Sequence, residues 1–561
     1  MDIAGLEKIL TMYGETITQM VNRPGDKVIP SDFSPVETHT PEPSTDGDPT
    51  YEGSDWKEDS ATTVIRNLLS RFSKLPEDLI RGTTSLASMG IDSITALQIA
   101  SLARQQGISV SPVTIIQSAN VHELMVKIHA EYIEETSGTD STATPPPAYV
   151  EIPLPLADVI RTTMPRHLRQ HIEAIYPVSP GMEWMIGAWQ NSGGCRYQHV
   201  FIQRVRGRAE IRRLERSWDA LLRFHPILRS TFCPVPAFKG NSDNTLALCV
   251  LDTLPGNTRR LSRRKLSRSC SEEQGLAAEA RMSVVHPAAA PGIHARLTVL
   301  EGKRDTYLLL NFHHFQYGEC FPPQMCDGSN PGSIDAGSLP FLIRHLEAIY
   351  LGLDFHCEAN IGSHLRSLFP TSTKAQIQEE YWREVFPPGW QPSLFIHSSS
   401  SRKKTRTNYF FHDIVPLSKE LHEIARKSDL TPQAILLAAW ARVHSLECSM
   451  SEATFGMWHS SRFADSLALP CLNLLPMRVT DTARPILEVA RALMKDLQRR
   501  SGTLEQSRLR DVSKWAGFEG KPLCNVYVNV LHTGPGPTDN PARAFEPVKV
   551  NFSLSRATIW S

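Results

Sequence analysis

Two short stretches hold residues whose types and spacing can do chemistry. Gly90-Ile91-Asp92-Ser93-Ile94 places a turn, an acid and a serine at the start of an apolar helical pattern. A serine hydroxyl in the first turn of a helix is exposed, and a phosphodiester attached there meets unpaired backbone N–H groups and the positive end of the helix dipole. Simple capping is the competing reading, since Asp92 and Ser93 are both favoured N-cap types. The second stretch, His313-His314-Phe315-Gln316-Tyr317-Gly318-Glu319, follows directly on the apolar run Tyr307 to Phe312. Side chains alternate across a strand, so one imidazole faces a given cleft while the other enters the opposite environment, which makes one a base and one a structural partner. Packing of both rings in a core is the plain alternative. No metal is expected, because no third ligand is suitably spaced and adjacent strand residues do not readily chelate one ion.

The elements that must position these residues are legible in the patterning. Val64, Leu68 and Phe72 repeat every four residues, with Ile65 and Leu69 widening the stripe and Pro76 closing it. A second helix starts at Asp92 and stops before Gly107, placed as a cap glycine. Ser111-Pro112 opens a third, and Asn120 with Glu123 opens a fourth whose Val121, Leu124, Met125 and Ile128 form an apolar face. Residues 60–134 therefore read as a small all-helical bundle. Residues 1–22 form an amphipathic helix without a domain of its own, 23–59 a Pro/Ser/Thr-rich linker, and 135–155 a second linker with a stiff proline run. From residue 156 to 561 the chain mixes strand-like runs, such as Tyr307 to Phe312 and Asn525 to Leu531, with helical ones such as Pro432 to Ser445, as a large α/β domain does. No internal repeat is present.

Composition narrows the function classes. At 561 residues the chain needs more than one core, and 41% hydrophobic against 21% charged residues suits folded domains. Lys plus Arg equals Asp plus Glu, 59 each, so no overall field favours nucleic acid or an anionic membrane. The basic stretch Arg259 to Arg268 has no interleaved aromatics and reads as a solvated helix or loop face without function. All ten cysteines lie between Cys195 and Cys524 without a CxxC pair, which points to reduced thiols. The N-terminus has no signal-peptide pattern and no run is long and apolar enough to span a bilayer, so a cytoplasmic protein is expected.

With these residues in view, Gly90 to Ile94 inside a helical domain between flexible linkers resembles the thiolation (peptidyl carrier) domains of non-ribosomal peptide synthetases. The resemblance covers residues 60 to 134. It implies 4′-phosphopantetheine, transferred from coenzyme A to Ser93 by a phosphopantetheinyl transferase, with Asp92 beside it, and an aminoacyl or peptidyl thioester on the arm. The histidine stretch resembles the His-His-x-x-x-Asp-Gly motif of condensation domains, which have the chloramphenicol-acetyltransferase-like fold of two α/β lobes around a tunnel. Tyr176 to Met182, Phe224 to Phe232, Thr431 to Trp440, Phe455 to Arg462, Leu472 to Arg478 and Asn525 to Val530 are similar to further segments of that family, in the same order.

The resemblance implies that His314 orients or deprotonates an acceptor amine as it attacks a thioester, with His313 supporting it. The sequence departs from the motif at its carboxylate, where Gly318 and Glu319 stand for Asp and Gly. The family's partner arginine matches Arg462, so either Glu319 reaches it or Arg462 turns to solvent. The lobes are expected at about residues 172–345 and 346–561. The second is shortened, which leaves a sheet edge in need of cover. Residues 1–22 resemble the tail of a preceding condensation domain.

The function implied is that of a carrier–condensation didomain forming amide or ester bonds, by analogy within a fungal siderophore synthetase of the ferrichrome type. It would depend on other modules with adenylation domains. Two alternatives stay open: a non-catalytic carrier and docking fragment, and a stand-alone acyltransferase using a soluble thioester.

Overall fold

The computed structural model describes residues 60–73, 75–91, 95–96, 99–100, 102–103, 106, 108, 110–137, 154–191, 197–235, 245–252, 261–267, 270–283, 295–317, 338–354, 361–362, 365, 372–394, 419–460, 469, 471–528 and 544–548. The expected N-terminal helix, the first linker, residues 138–153 of the second, Gly107, Asp92, Ser93, Gly318, Glu319 and Arg462 lie outside the described residues, while 135–137 and 154–155, expected as linker, are helical.

The carrier bundle is built as its apolar stripes dictate. Helix Ser60–Ser73 buries Ile65, Leu68 and Leu69. Residues 95, 96, 99, 100, 102 and 103 are helical, and their Ala96, Ile99, Ala100 and Ala103 join the same core. Ser111 caps helix Pro112–Ile116, its hydroxyl accepting from Thr114 N at 2.9 Å while Pro112 takes the first helical position. Asn120 Oδ1 accepts from Glu123 N at 2.9 Å, but the Glu123 carboxylate reaches back to Ala119 N at 2.8 Å, one residue before the cap. Helix Val121–Ser137 then places Val121, Leu124, Met125 and Ile128 on the core.

The larger unit is two lobes, each a sheet backed by helices. In the first, β1 (Ile172–Pro177), β4 (Thr245–Leu251) and β3 (Ser230–Val235) form an antiparallel sheet in the order β1-β4-β3. Alternation along β4 divides its side chains: Leu248 and Val250 enter the main core, while Ala247, Cys249 and Leu251 pack under helix Leu154–Thr163 with Ile160. A five-stranded sheet runs β11 (Phe545–Pro547), β2 (Gln198–Val205), β7 (Thr306–His313), β6 (Arg296–Glu301), β5 (Leu261–Lys265). Leu308, Leu310 and Phe312 of β7 face the core built with Trp218 of helix Ile211–Phe224, and Tyr307 and Leu309 face helix Glu272–Met282. Within the basic stretch Leu261–Lys265 is thus an edge strand, not a helix or loop. It runs parallel to β6, and Arg264 pairs with Glu279 at 3.0 Å.

In the second lobe, β8 (Ala453–Ser460) is flanked by β9 (Leu472–Val479) and the short β10 (Tyr527–Val528). Helix Pro432–Glu447, capped by Thr431 accepting from Ala434 N at 3.1 Å, packs with helix Ile486–Arg500 on one face. Tyr381, Trp382, Phe386 and Trp390 cover the other. Within that layer Arg500, fully buried, meets Asp496 at 2.7 Å and donates to the Tyr381 hydroxyl at 2.7 Å and the Pro476 carbonyl at 2.8 Å, so its charge is neutralised and solvated from within.

Two boundary expectations change. Helix Ser338–Leu351 runs through residue 345 and packs whole on the first lobe, burying Leu339, Phe341, Leu342, Leu346 and Tyr350 there. Apolar burial keeps this amphipathic helix on one core, which moves the first lobe's end beyond Leu351. β11, placed by its position with the second lobe, pairs instead with β2 of the first, Phe545 with Val205, and inserts Phe545 into the first core.

Candidate functional site

The lobes meet where helix Pro180–Asn191 of the first lies on β9 of the second. The approach is so close that a Cβ on Gly181 would sit 1.7 Å from the Leu472 carbonyl oxygen, so only glycine fits the Ser-Pro-Gly-Met turn. Glu183, two residues on, meets Arg510 at 3.2 Å and Arg508 at 3.8 Å across the same seam.

The histidines stand at the end of β7. The strand stops at His313, and a single helical turn, His314–Tyr317, begins with His314. The alternation rule therefore passes to a turn at the pair itself, and the two rings have different surroundings. His313 is fully buried: its Nδ1 accepts from Phe315 N at 3.1 Å, its N–H donates to Gln316 Oε1 at 3.1 Å, and its ring lies edge-on to Trp189 at 5.5 Å. Accepting at Nδ1 leaves the proton of the neutral ring on Nε2. Burial, then the neighbouring His314 and His199, pushes His313 well below the ordinary imidazole range.

His314 turns instead toward Tyr197, at 5.7 Å between ring centres, and toward His199, at 5.8 Å. Its N–H donates to the Tyr197 carbonyl at 2.6 Å. Tyr197 holds a left-handed backbone, φ 60°, a conformation that costs a side-chain-bearing residue about 1–2 kcal/mol and that here aims its carbonyl at His314. Burial first, then His199, pushes His314 down to about 3, and burial pushes His199 down to about 4. Both rings are neutral at pH 7, so either is able to accept a proton or a hydrogen bond. His199 and Tyr197 were not singled out in the sequence. The available signal was the strand pairing, which sets His199 opposite Phe312 and Gln198 opposite His313.

The carrier loop supplies the second site. Gly90 has φ +75° and open space where a Cβ would be, and it stands three positions before Ser93. Beside it opens a cleft of about 200 Å³ whose walls include Ser88, Met89 and Gly90 of the carrier and Glu423, Arg426 and Pro432 of the second lobe. The two units also touch where Gln117 Nε2 donates to the Ser501 carbonyl at 3.5 Å. A phosphodiester fits this loop: the glycine turn leaves room, and Arg426 in the opposite wall offers a positive charge. Among the described residues no group of three His, Cys, Asp or Glu is arranged to hold a metal ion, and no helix is long and apolar enough to cross a membrane.

Comparison with known proteins agrees with both halves. The family model for the phosphopantetheine attachment site matches residues 63–125. Nonribosomal peptide synthetase NPS2 of Ceriporiopsis subvermispora is 28% identical over 520 residues, 90% of this chain and 20% of its own length. Coprinoferrin synthetase of Coprinopsis cinerea is 26% identical over 100% of this chain and 22% of its own. The hydroxamate-type ferrichrome siderophore peptide synthetase of Schizosaccharomyces pombe is 23% identical over 86% of this chain and 9% of its own. The chain thus spans between 9% and 22% of the length of these relatives. A solved structure described as "The crystal structure of CT" superposes with a TM-score of 0.50 at 15% identity, covering 71% of this chain and 83% of that one, and shows the fold. Residues 63–125 thus match a phosphopantetheine attachment site, the larger unit has the two-lobed fold of that solved structure, and the chain is similar along most of its length to part of the non-ribosomal peptide synthetases.

Proposed function

We propose that this chain forms an amide bond, with ester formation as its chemical variant, between an acyl thioester and a nucleophile brought to His314. The observation that carries the reading is the seam itself. A neutral, buried imidazole stands at the end of β7, held by a strained tyrosine, where the second lobe closes over the first. The substrate amine attacks the thioester carbonyl carbon, a C–N bond forms, the C–S bond breaks, and the sulfur leaves as a thiolate, to which His314 passes on the proton it has taken from the amine. His314 accepts the hydrogen bond of the attacking amine and receives its proton as charge develops on nitrogen. Because the burial that keeps His314 neutral also weakens it as a base, orientation supplies more of the rate than proton transfer does. Tyr197 is a positioning residue through its carbonyl, and His313 fixes the turn on which His314 sits.

Ser93 is the proposed attachment point of the phosphopantetheine arm, with Asp92 next to it in the sequence; Arg426, in the cleft wall opposite Gly90, would offer the phosphate a positive charge. When attached, the arm supplies a thiol that carries an aminoacyl or peptidyl group as a thioester. Glu319 and Arg462 are proposed to form the ion pair that closes the loop after His314, with Gly318 giving it room. The partners proposed are a phosphopantetheinyl transferase and modules bearing adenylation domains. The pathway proposed is siderophore assembly in the cytoplasm, supported by the hydroxamate-type ferrichrome siderophore peptide synthetase among the relatives.

The carrier half is tested by intact mass after incubation with coenzyme A and a broad-specificity phosphopantetheinyl transferase. A single phosphopantetheine adduct on the wild type, absent in Ser93→Ala, is expected. No adduct on folded wild-type protein overturns the assignment of Ser93.

A further inference from the structure

Between His314 and the second lobe lies an uninterrupted path of aromatic rings that the proposed reaction does not use. Trp184, on helix Pro180–Asn191, is its hub. Its ring centre is 5.4 Å from Tyr197, 5.1 Å from Trp458 of β8 and 6.2 Å from Tyr527 of β10, each pair edge-to-face. Tyr197 in turn lies edge-on to His314 at 5.7 Å. The four rings come from both lobes, and each is only half-buried, unlike Trp189, Trp218 and Trp382, which are closed into cores. Rings that keep accessible surface beside a buried imidazole present aromatic wall to whatever enters the seam.

Local construction keeps this wall in place. Tyr527 lies over Gly456 of β8, where a Cβ would come within 2.5 Å of its Cδ1 and 2.9 Å of its Cε1. Any side chain at 456 would push the tyrosine away. Trp458 is two residues further along the same strand, so strand alternation brings it to the same face. The environment also disfavours charge, because burial keeps both His199 and His314 neutral, and an ionised substrate group would bear the same desolvation cost.

We infer that Trp184, Tyr197, Trp458 and Tyr527 form a specificity wall that selects a substrate carrying an uncharged, apolar side group next to the reacting carbonyl or amine. The inference rests on the proposed reaction at His314 only in placing the wall at the reacting centre.

The test is binding, which does not require turnover. The full-length wild type is titrated by calorimetry with non-hydrolysable acyl-pantetheine amides bearing acetyl, branched apolar, aromatic and carboxylate-terminated acyl groups. A second series uses amino-acid amides of cysteamine with matching side chains, so that donor and acceptor origins are told apart. We expect the apolar probes of one series to bind about tenfold or more tighter than the charged probe. Trp458→Ala should erase that preference without changing acetyl binding, and Trp458→Phe should keep most of it. Gly456→Ala, which displaces Tyr527, should reduce it by a route that leaves every ring present. Equal binding of apolar and charged probes by the wild type, or equal weakening of all probes by Trp458→Ala, overturns the inference. Selective binding in a chain that makes no amide leaves the wall standing and sinks the proposed reaction. Amide formation without side-group preference does the reverse.

Discussion

The first lobe contains two pairs of neutral histidines, and they are built for opposite ends. His225 and His345 bond to each other, Nε2 to Nδ1 at 2.8 Å, with Phe224 and Phe341 against their edges. That pair links the end of helix Ile211–Phe224 to helix Ser338–Leu351 and spends its polarity on doing so. His199 and His314 lie 5.8 Å apart between ring centres, and His314 faces the Tyr197 ring at the lobe seam. Burial keeps both pairs neutral: it pushes His225 down to about 3 and His345 below its ordinary value, as it does His314 and His199. A depressed imidazole therefore does not by itself mark a reacting group. What the ring faces does.

Breaking the bonded pair should have the largest effect on stability. His225→Ala leaves His345 without its partner and opens a cavity between two helices, so a loss of about 2–4 kcal/mol is expected in urea unfolding. Turnover per folded molecule should be unchanged. A loss of turnover at full stability would show that the bonded pair is part of the chemistry.

Acid should weaken both pairs alike. Their folded values lie below the unfolded value near 6.5, so the unfolded chain binds more protons as pH falls. Stability is then full above about pH 6.5 and is lost between there and about pH 3, at up to about 1.4 kcal/mol per pH unit for each histidine. Urea midpoints across that window check the sign. A flat profile from pH 7 to 5 would contradict the buried, neutral assignment.

The smallest effect sharpens the open pair. In His199→Phe the proton affinity of His314 should rise, because the neighbouring imidazole disfavours its charge. NMR titration of the His314 ring reads this directly. An unchanged or lower value would mean that the two rings do not sense one another.

What the sequence made legible follows from how local each signal is. Helices of the carrier were readable because their stripes and caps, Ser111 with Thr114 and Asn120 with Glu123, are set within a few residues. The β7 run into His313 and His314 was readable for the same reason. The seam was not. Trp184, Tyr197, Trp458 and Tyr527 come from four separated segments, and nothing local to any of them announces the others. The first lobe's end was misplaced because the pattern of helix Ser338–Leu351 tells that one face is buried, not which core receives it. The approach of helix Pro180–Asn191 to Leu472 explains why Gly181 stands in the Ser-Pro-Gly-Met segment, a requirement set by a residue almost three hundred positions away.

The central claim is that the open pair, not the bonded one, faces the reacting centre. It is tested most directly by single-turnover amide formation with an acyl-pantetheine donor and an excess of amine acceptor, read by mass spectrometry. Wild type, His314→Ala and His225→Ala are compared at matched folded fractions. The account predicts that His314→Ala slows the step by about 10²-fold or more while His225→Ala matches the wild type. An undiminished rate in His314→Ala, or equal losses in both variants, would contradict it.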